Sequence, residues 1–333
     1  MPNNILEIPQ LKNVHAALSA LGYQTVEQFV GAVHAAAPAM QRYLGQSIQP
    51  LLDAIPGSQA LVRNAAALLA NLPQFGLGVA LDHIPAPQFA FGVTAPTLAP
   101  TPLVDLIPNM PPIRNQGSRG TCVAFASLAT FEHYHMLQGD YQDIAEQFLY
   151  WECKTHDNLP NQDGTWVGVA MDRLQADGCC LEVTWPYNPQ LDPTNISQGP
   201  PPQGAQLEAL KFRISVSHLL PPSSVGSIKS ELQRQRCVAF SIPVFDSWYR
   251  NPAVIQSGDI VMPIPNEIIV GGHAMCIAGY EDLPASPELG GGRFYIRNSW
   301  GASWGTTSPH GAGYGTIPYA YIDHYGKEAY SIE

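Results

Sequence analysis

The sequence predicts an α+β fold in which a small all-helical segment precedes a larger unit built helices first and strands afterwards. Three observations predict it. Apolar residues recur at helical spacing up to about residue 72, and a proline-rich stretch follows. Beyond it, helix-period runs between residues 122 and 176 give way to β-rich, glycine-punctuated runs after residue 237. A chain of 333 residues is long for one core, so two units are expected.

In the first unit, Leu11, Val14, Leu18 and Leu21 share one helical face, and Gly22 is placed to end that helix. Thr25 and Gln28 form a capping-box pattern ahead of Phe29, Val30 and Val33, with Pro38 expected to end the run. Another helix is expected over Ala60 to Leu72. The stretch LSALGYQTVEQFVGA is faintly similar to helix-hairpin-helix adaptor repeats, but packing between helices explains its apolar residues as well. From Pro73 to Pro112 the composition turns to Pro, Ala, Thr and Gly, which reads as an extended connector rather than a packed element. The expected division is a helical segment over 1–75, a linker over 76–103 and a main domain over 104–333.

Within the main domain, helices are expected from Cys122 to Gln138, near Ile144 to Lys154, and from Trp166 to Ala176. Strands are expected over Cys237 to Val244, His273 to Tyr280, Arg293 to Asn298 and Gly313 to Pro318. A second Pro/Gln-rich stretch, Pro186 to Gln203, reads as a long surface loop.

Composition narrows the function. Apolar residues make up 45% and charged residues 13%, a mix that buries a core. With 27 acidic against 16 basic residues and a formal charge of -11, no basic stripe is available for a nucleic-acid backbone. The longest apolar run, Ala65 to Leu81, is interrupted and too short for a membrane span. The N-terminus lacks a secretory pattern, and the six cysteines are sparse and show no CxxC spacing. A cytoplasmic protein with reduced thiols is expected, or one delivered by a route independent of a signal peptide. The adjacent Cys179 and Cys180 are badly placed to bond each other and receive no role. No metal or organic cofactor is expected, since the histidines lack ligand spacing and no phosphate-cradling loop is present.

The chemistry concentrates in four places. A glycine-punctuated loop, Asn115 to Thr121, runs into a helix that begins with Cys122, and a helix N-terminus stabilises a thiolate. Gln116 is placed to help the Cys122 backbone N–H hold a developing oxyanion, or else merely to satisfy loop backbone groups. Far downstream, His273 heads an apolar strand and Asn298 ends another, which supplies a base and a group to orient its ring.

These segments resemble the papain-like cysteine peptidase family, as a bacterial-type member with an atypical N-terminal helical segment. The resemblance runs from about Val104 to Tyr325, through QGSRGTCVAFAS, AEQFLYW, GGHAMCIAGYED, RNSWGASWG and GYGTIPYAYI. It implies a two-lobed fold, a helical lobe facing a β-barrel-like lobe, with a peptide or protein substrate in the cleft between them. It further implies Cys122 as nucleophile, His273 as general base, Asn298 as its orienter, Gln116 as oxyanion donor and a thioester intermediate. Trp300 looks like the family's indole that shields the Asn-His bond, and Gly164 loosely resembles a glycine of the substrate-binding floor. Arg119 stands where secreted relatives carry a disulfide cysteine, and Val123 replaces the usual aromatic.

Hydrolysis of peptide bonds by an endopeptidase is the expected function. Two alternatives stay open: a transpeptidase, deamidase or toxin-like effector acting on one protein, and a silent binding module. The N-terminal segment is expected either to cross the cleft as a propeptide does or to dock a partner, although it lacks the long charged helix of usual inhibitory propeptides.

Overall fold

The computed structural model describes residues 4–71, 74–86, 91–92 and 101–333. Pro73, Pro87, Pro96 and Pro100 of the proline-rich stretch lie outside them. After two short 3₁₀ turns come α1 (His15–Ala20), α2 (Val26–Leu44), α3 (Gln49–Asp53) and α4 (Ser58–Asn71). The capping box at the start of α2 forms in both directions: the Gln28 N–H donates to Thr25 Oγ1 at 3.2 Å, and the Thr25 N–H donates to Gln28 Oε1 at 3.2 Å. Pro38 does not end the helix as expected. The chain breaks at Ala36 (φ -141°, ψ 42°), so Pro38 falls near the start of a fresh turn, where its missing N–H costs little, and the helix resumes to Leu44. Leu11, Val14, Leu18, Leu21, Phe29, Val30 and Val33 are all buried in one apolar cluster.

Residues 74–81 are free of helix and packed, with Phe75, Gly76, Gly78 and Val79 buried, and the single proline of 74–86, Pro85, follows a bend at Asp82 and His83. Then follow β1 (Phe91–Gly92) and β2 (Leu103–Asp105). The helices of the next layer are α5 (Cys122–Gln138), α6 (Glu146–His156), α7 (Val167–Ala176) and α8 (Ala205–Ala209). Every residue of α5 from Cys122 to His133 is buried, because α6, α7 and the sheet pack around it. Its run of Ala and Ser lets those neighbours approach closely. Residues 186–203 form the expected irregular loop.

The remaining elements are β3 (Ser217–Leu219), α9 (Val225–Gln233), β4 (Val238–Phe245), α10 (Asp246–Tyr249), α11 (Pro252–Ser257), β5 (Ile269–Asp282), β6 (Gly292–Arg297), β7 (Tyr314–Pro318), α12 (Tyr319–Tyr325) and β8 (Glu328–Ile332). The sheet order is β1-β3-β8-β4-β5-β6-β7, with β2 also paired to β5; all neighbours are antiparallel except β1 and β3. The four expected strands are β4 to β7. Two apolar clusters result, one under α5 to α7 and one shared by the sheet, α10, α11 and the N-terminal helices.

Glu328 ties the two lobes together. The helix α7 has no side-chain cap of its own, and its first N–H groups, from Val167 and Gly168, donate to Glu328 at 3.2 and 2.9 Å. Ser241 donates to the same carboxylate at 2.9 Å. Removing this buried acceptor by Glu328→Ala strands three donors, so a loss of about 2 kcal/mol is expected in chemical denaturation, with Glu328→Gln losing less.

Candidate functional site

Cys122 opens α5 with its sulfur fully buried, and the Ala274 N–H donates to Sγ at 3.4 Å. Residue 274 follows His273 in β5, so the register that builds the sheet also carries the imidazole to the Cys122 end of α5. β5 pairs antiparallel with β6, and Asn298 lies one residue beyond β6. Its Oδ1 meets His273 Nε2 at 2.9 Å and also accepts the Ser299 N–H at 2.8 Å. Since Oδ1 accepts from a backbone amide, the amide flip is set and His273 Nε2 carries the proton. That leaves Nδ1 as a lone pair, and among the described residues it has no hydrogen-bond partner.

Burial dominates the electrostatics. The Cys122 thiol is pushed up to about 12, chiefly by desolvation, with backbone N–H groups of Ala274, Gly78 and Val123 pulling the other way and the Asp163 charge adding to the rise. Burial also lowers His273 to about 4, against the Asn298 hydrogen bond that favours its charged form. Both groups are therefore neutral near pH 7 in this conformation. The Trp300 indole stacks on the His273 ring at 4.5 Å and 25°.

Gln116 is held at both ends of its amide. Ser299 Oγ donates to its Oε1 at 2.5 Å, while its Nε2 donates to Arg119 O at 2.7 Å and to Gly76 O at 3.1 Å. Ser299 was not singled out in the sequence, because nothing in RNSWG says which loop its hydroxyl will reach. Gly164 (φ +92°) lies beneath residue 78, where a Cβ on it would come 2.7 Å from Gly78 O. The backbone bonds are made by its neighbour Thr165, which donates to Gly78 O at 3.0 Å and accepts from Ala80 N at 3.2 Å. A fully buried pair, Lys154 and Asp157 at 2.7 Å, holds the Gly164 carbonyl from below, with Lys154 Nζ at 2.8 Å. Arg119 is buried, donates to Gln147 Oε1 and Asn188 O at 2.7 Å each, and lies over the Tyr150 and Tyr187 rings at 5.3 and 5.0 Å. It joins the loop before Cys122 to the 186–203 loop without a covalent bond.

Residues 75–81 form a strap over all of these groups. Phe75 stacks on Trp300 at 4.6 Å and 15°, Trp300 Nε1 donates to Gly76 O at 3.2 Å, and Val79 N donates to Gly272 O at 3.1 Å. The strap passes so close to the nucleophile loop that a Cβ at Gly76 would lie 2.1 Å from Arg119 O, and one at Gly78 would lie 1.9 Å from Gly120 O. The group it turns toward the sulfur is an amide N–H, which a thiolate cannot attack.

All six cysteines are unpaired. Among the described residues, one group, Glu152, His156 and Asp177, brings three metal-ligand atoms within 4.8 Å, but Arg173 already pairs with Asp177 at 2.9 Å. No helix among the described residues is long and apolar enough to cross a membrane.

Comparison with known proteins gives concordant matches. The sequence model of the papain family of cysteine proteases matches residues 105–319. An uncharacterized peptidase C1-like protein of Acanthamoeba polyphaga mimivirus is 24% identical over 217 residues, 62% of this chain and 64% of that protein. Caricain of Carica papaya is 24% identical over 195 residues and is covered to 49%, so the chain spans about half to two-thirds of these relatives. Xylellain, a cysteine protease from Xylella fastidiosa, superposes with a TM-score of 0.66 at 25% identity, covering 78% of this chain and 97% of its own. Digestive procathepsin L 3 of Tenebrio molitor shares the fold, with a TM-score of 0.54 at 17% identity over 80% and 78% of the two chains.

Proposed function

The chain belongs to the papain family of cysteine proteases, and on that premise we propose that it is an endopeptidase, held silent by its own residues 75–81, that cleaves protein substrates between its two lobes. The observation that carries this reading is the His273 ring: Nε2 is fixed on Asn298, Nδ1 is unpartnered, and the next residue's N–H rests on Cys122 Sγ.

In the reaction, His273 Nδ1 takes the Cys122 proton and the thiolate attacks the scissile carbonyl carbon. The electron pair moves to the carbonyl oxygen, held by Gln116 Nε2 and the Cys122 N–H. Collapse expels the amine, protonated by His273, and leaves a thioester. Water, deprotonated by the same ring, then releases the acid and restores the thiol. Asn298 keeps the imidazole pointed at the sulfur, Trp300 excludes water from that bond, and Gly164 and Thr165 line the substrate backbone. With the strap in place, its Gly76 carbonyl occupies the Gln116 amide. The test is labelling with an epoxide-type thiol inhibitor: Cys122 should be alkylated slowly in the native chain and rapidly once the strap is displaced. An unmodified Cys122 in folded, strap-displaced protein would sink the reading.

The same geometry gives a pH profile for opening. In the closed form His273 is lowered to about 4 from 6.5, so the open form binds more protons between those values. Closure is therefore undiminished by this group above 6.5 and weakens as pH falls through that window. Cys122 is raised to about 12 from 9.0, so its contribution to closure is intact below 9.0 and is lost as pH rises beyond it. The labelling rate per thiolate should pass through a minimum between about pH 6.5 and 9. A monotonic profile would contradict the two shifts.

A further inference from the structure

We propose that the N-terminal helices are a permanent wall of the substrate cleft: when residues 74–81 lift, α2 and α4 stay docked on α10 and α11, and the cavity between them takes an apolar or aromatic side chain of the substrate. The docking claim stands on packing alone, whereas the cavity's role rests on the endopeptidase reading above.

The two parts of the chain are held by different physics. The strap adds only two buried apolar side chains, Phe75 and Val79, and is otherwise held to the catalytic unit by hydrogen bonds, one aromatic stack and a glycine fit. The helices instead share a core with it, since Phe29, Val30 and Met40 lie in one buried apolar cluster with Phe245, Trp248 and Val254. Such a contact resembles a domain core cut in two, the hallmark of an obligate rather than a transient interface. Its fit is close. A Cβ added to Gly31 would lie 2.0 Å from Asn251 Oδ1, while buried Asn251 donates Nδ2 to Gln28 O at 2.8 Å and to Ser247 O at 3.1 Å. The Met262 N–H adds a bond to Leu21 O at 3.0 Å. Sixty-odd residues of short helices bury too little apolar surface by themselves to dispense with that partner.

Between the two parts lies a cavity of about 580 Å³, walled by His34 and Leu69 on one side and by Tyr249 and Ile255 on the other. Phe75 also lines it and stacks on Trp300, and Tyr249 Oη donates to Phe75 O at 2.6 Å. Phe75 thus stands where a substrate residue would go after the strap leaves. Phe75 links the cavity to Trp300 in the cleft, and His34, Ala35, Leu69 and Ala70 of the cavity wall belong to the helices.

The test uses the full chain with a site-specific protease sequence inserted within residues 87–100. After nicking, size exclusion with native mass spectrometry should give one species holding both fragments, in the wild-type background and in Gly78→Val alike. Adding Gly31→Leu should separate the fragments after nicking. If the helices leave the nicked protein without that substitution, the docking claim is overturned whether or not the enzyme is active. For the cavity, Leu69→Arg in the Gly78→Val background should raise KM about tenfold more for a long peptide with an aromatic residue past the scissile bond than for a short reporter. Equal changes for both peptides would overturn the wall.

Discussion

Gly78→Val is expected to turn over a fluorogenic peptide up to about a hundredfold faster than the wild type. A Cβ there would meet Gly120 O at 1.9 Å and Gly120 C at 2.1 Å, and these are backbone atoms of the loop that carries the nucleophile. A side-chain neighbour could swing aside; this one cannot. Overpacking of this kind costs about 1–3 kcal/mol, and tenfold in population per 1.4 kcal/mol sets the upper end of the gain near two decades. The strap is the part expected to yield, because Cys122 to His133 of α5 are all buried, whereas Leu77, Ala80 and Leu81 of the strap are only partly so. Gly76→Val should act the same way, since its Cβ would meet Arg119 O at 2.1 Å. Circular dichroism and thermal denaturation should show the fold retained. Unchanged turnover and unchanged Cys122 labelling in a folded Gly78→Val protein would mean that the strap does not control access.

In that opened background, Cys122→Ala and His273→Ala should each remove turnover by on the order of 10⁵-fold, and the double variant should be no worse than either. The thiol and the imidazole act as a unit: without the ring the sulfur keeps its proton, and without the sulfur the ring has nothing to activate. Gln116→Ala should cost about 10²–10³-fold, since one of two oxyanion donors remains. Asn298→Ala should lower kcat while leaving the thiol open to labelling, because it removes the group that fixes the ring and not the nucleophile. Steady-state kinetics with active-site titration separates these outcomes. Persistent turnover by Cys122→Ala would assign the chemistry elsewhere.

Much of this site was legible before any coordinates. The helix α5 begins and ends where its apolar spacing predicted, Cys122 to Gln138, because local signals fix a helix whose start is a loop and whose end is the left-handed Gly139. The strand that carries His273 and the one that ends beside Asn298 were legible from their β-rich composition and glycine punctuation, although Gly271, Gly272 and Gly279 lie inside β5. Less was visible where the signal is not local. β3 and β8 are short and their partners are remote, so neither stood out, although β8 carries the carboxylate that caps α7 from 160 residues away. Pro38 misled because proline forbids a helix to continue into it only while the preceding turn stays helical, and the break at Ala36 removes that condition.

The stretch from Pro73 onward shows the limit most plainly. Its composition determined that the backbone would be extended, since proline and glycine make poor helices whatever surrounds them. Composition could not say that seven of those residues lie in a groove. The glycines at 76 and 78 read as connector residues in the sequence and as a steric fit in the fold. By itself the sequence determined the chemical parts, a thiol at a helix start, an imidazole and an amide on strands, because those depend on residue type and local spacing. Only the tertiary structure decided their state, neutral, dry and covered, because desolvation and access depend on atoms brought from distant parts of the chain.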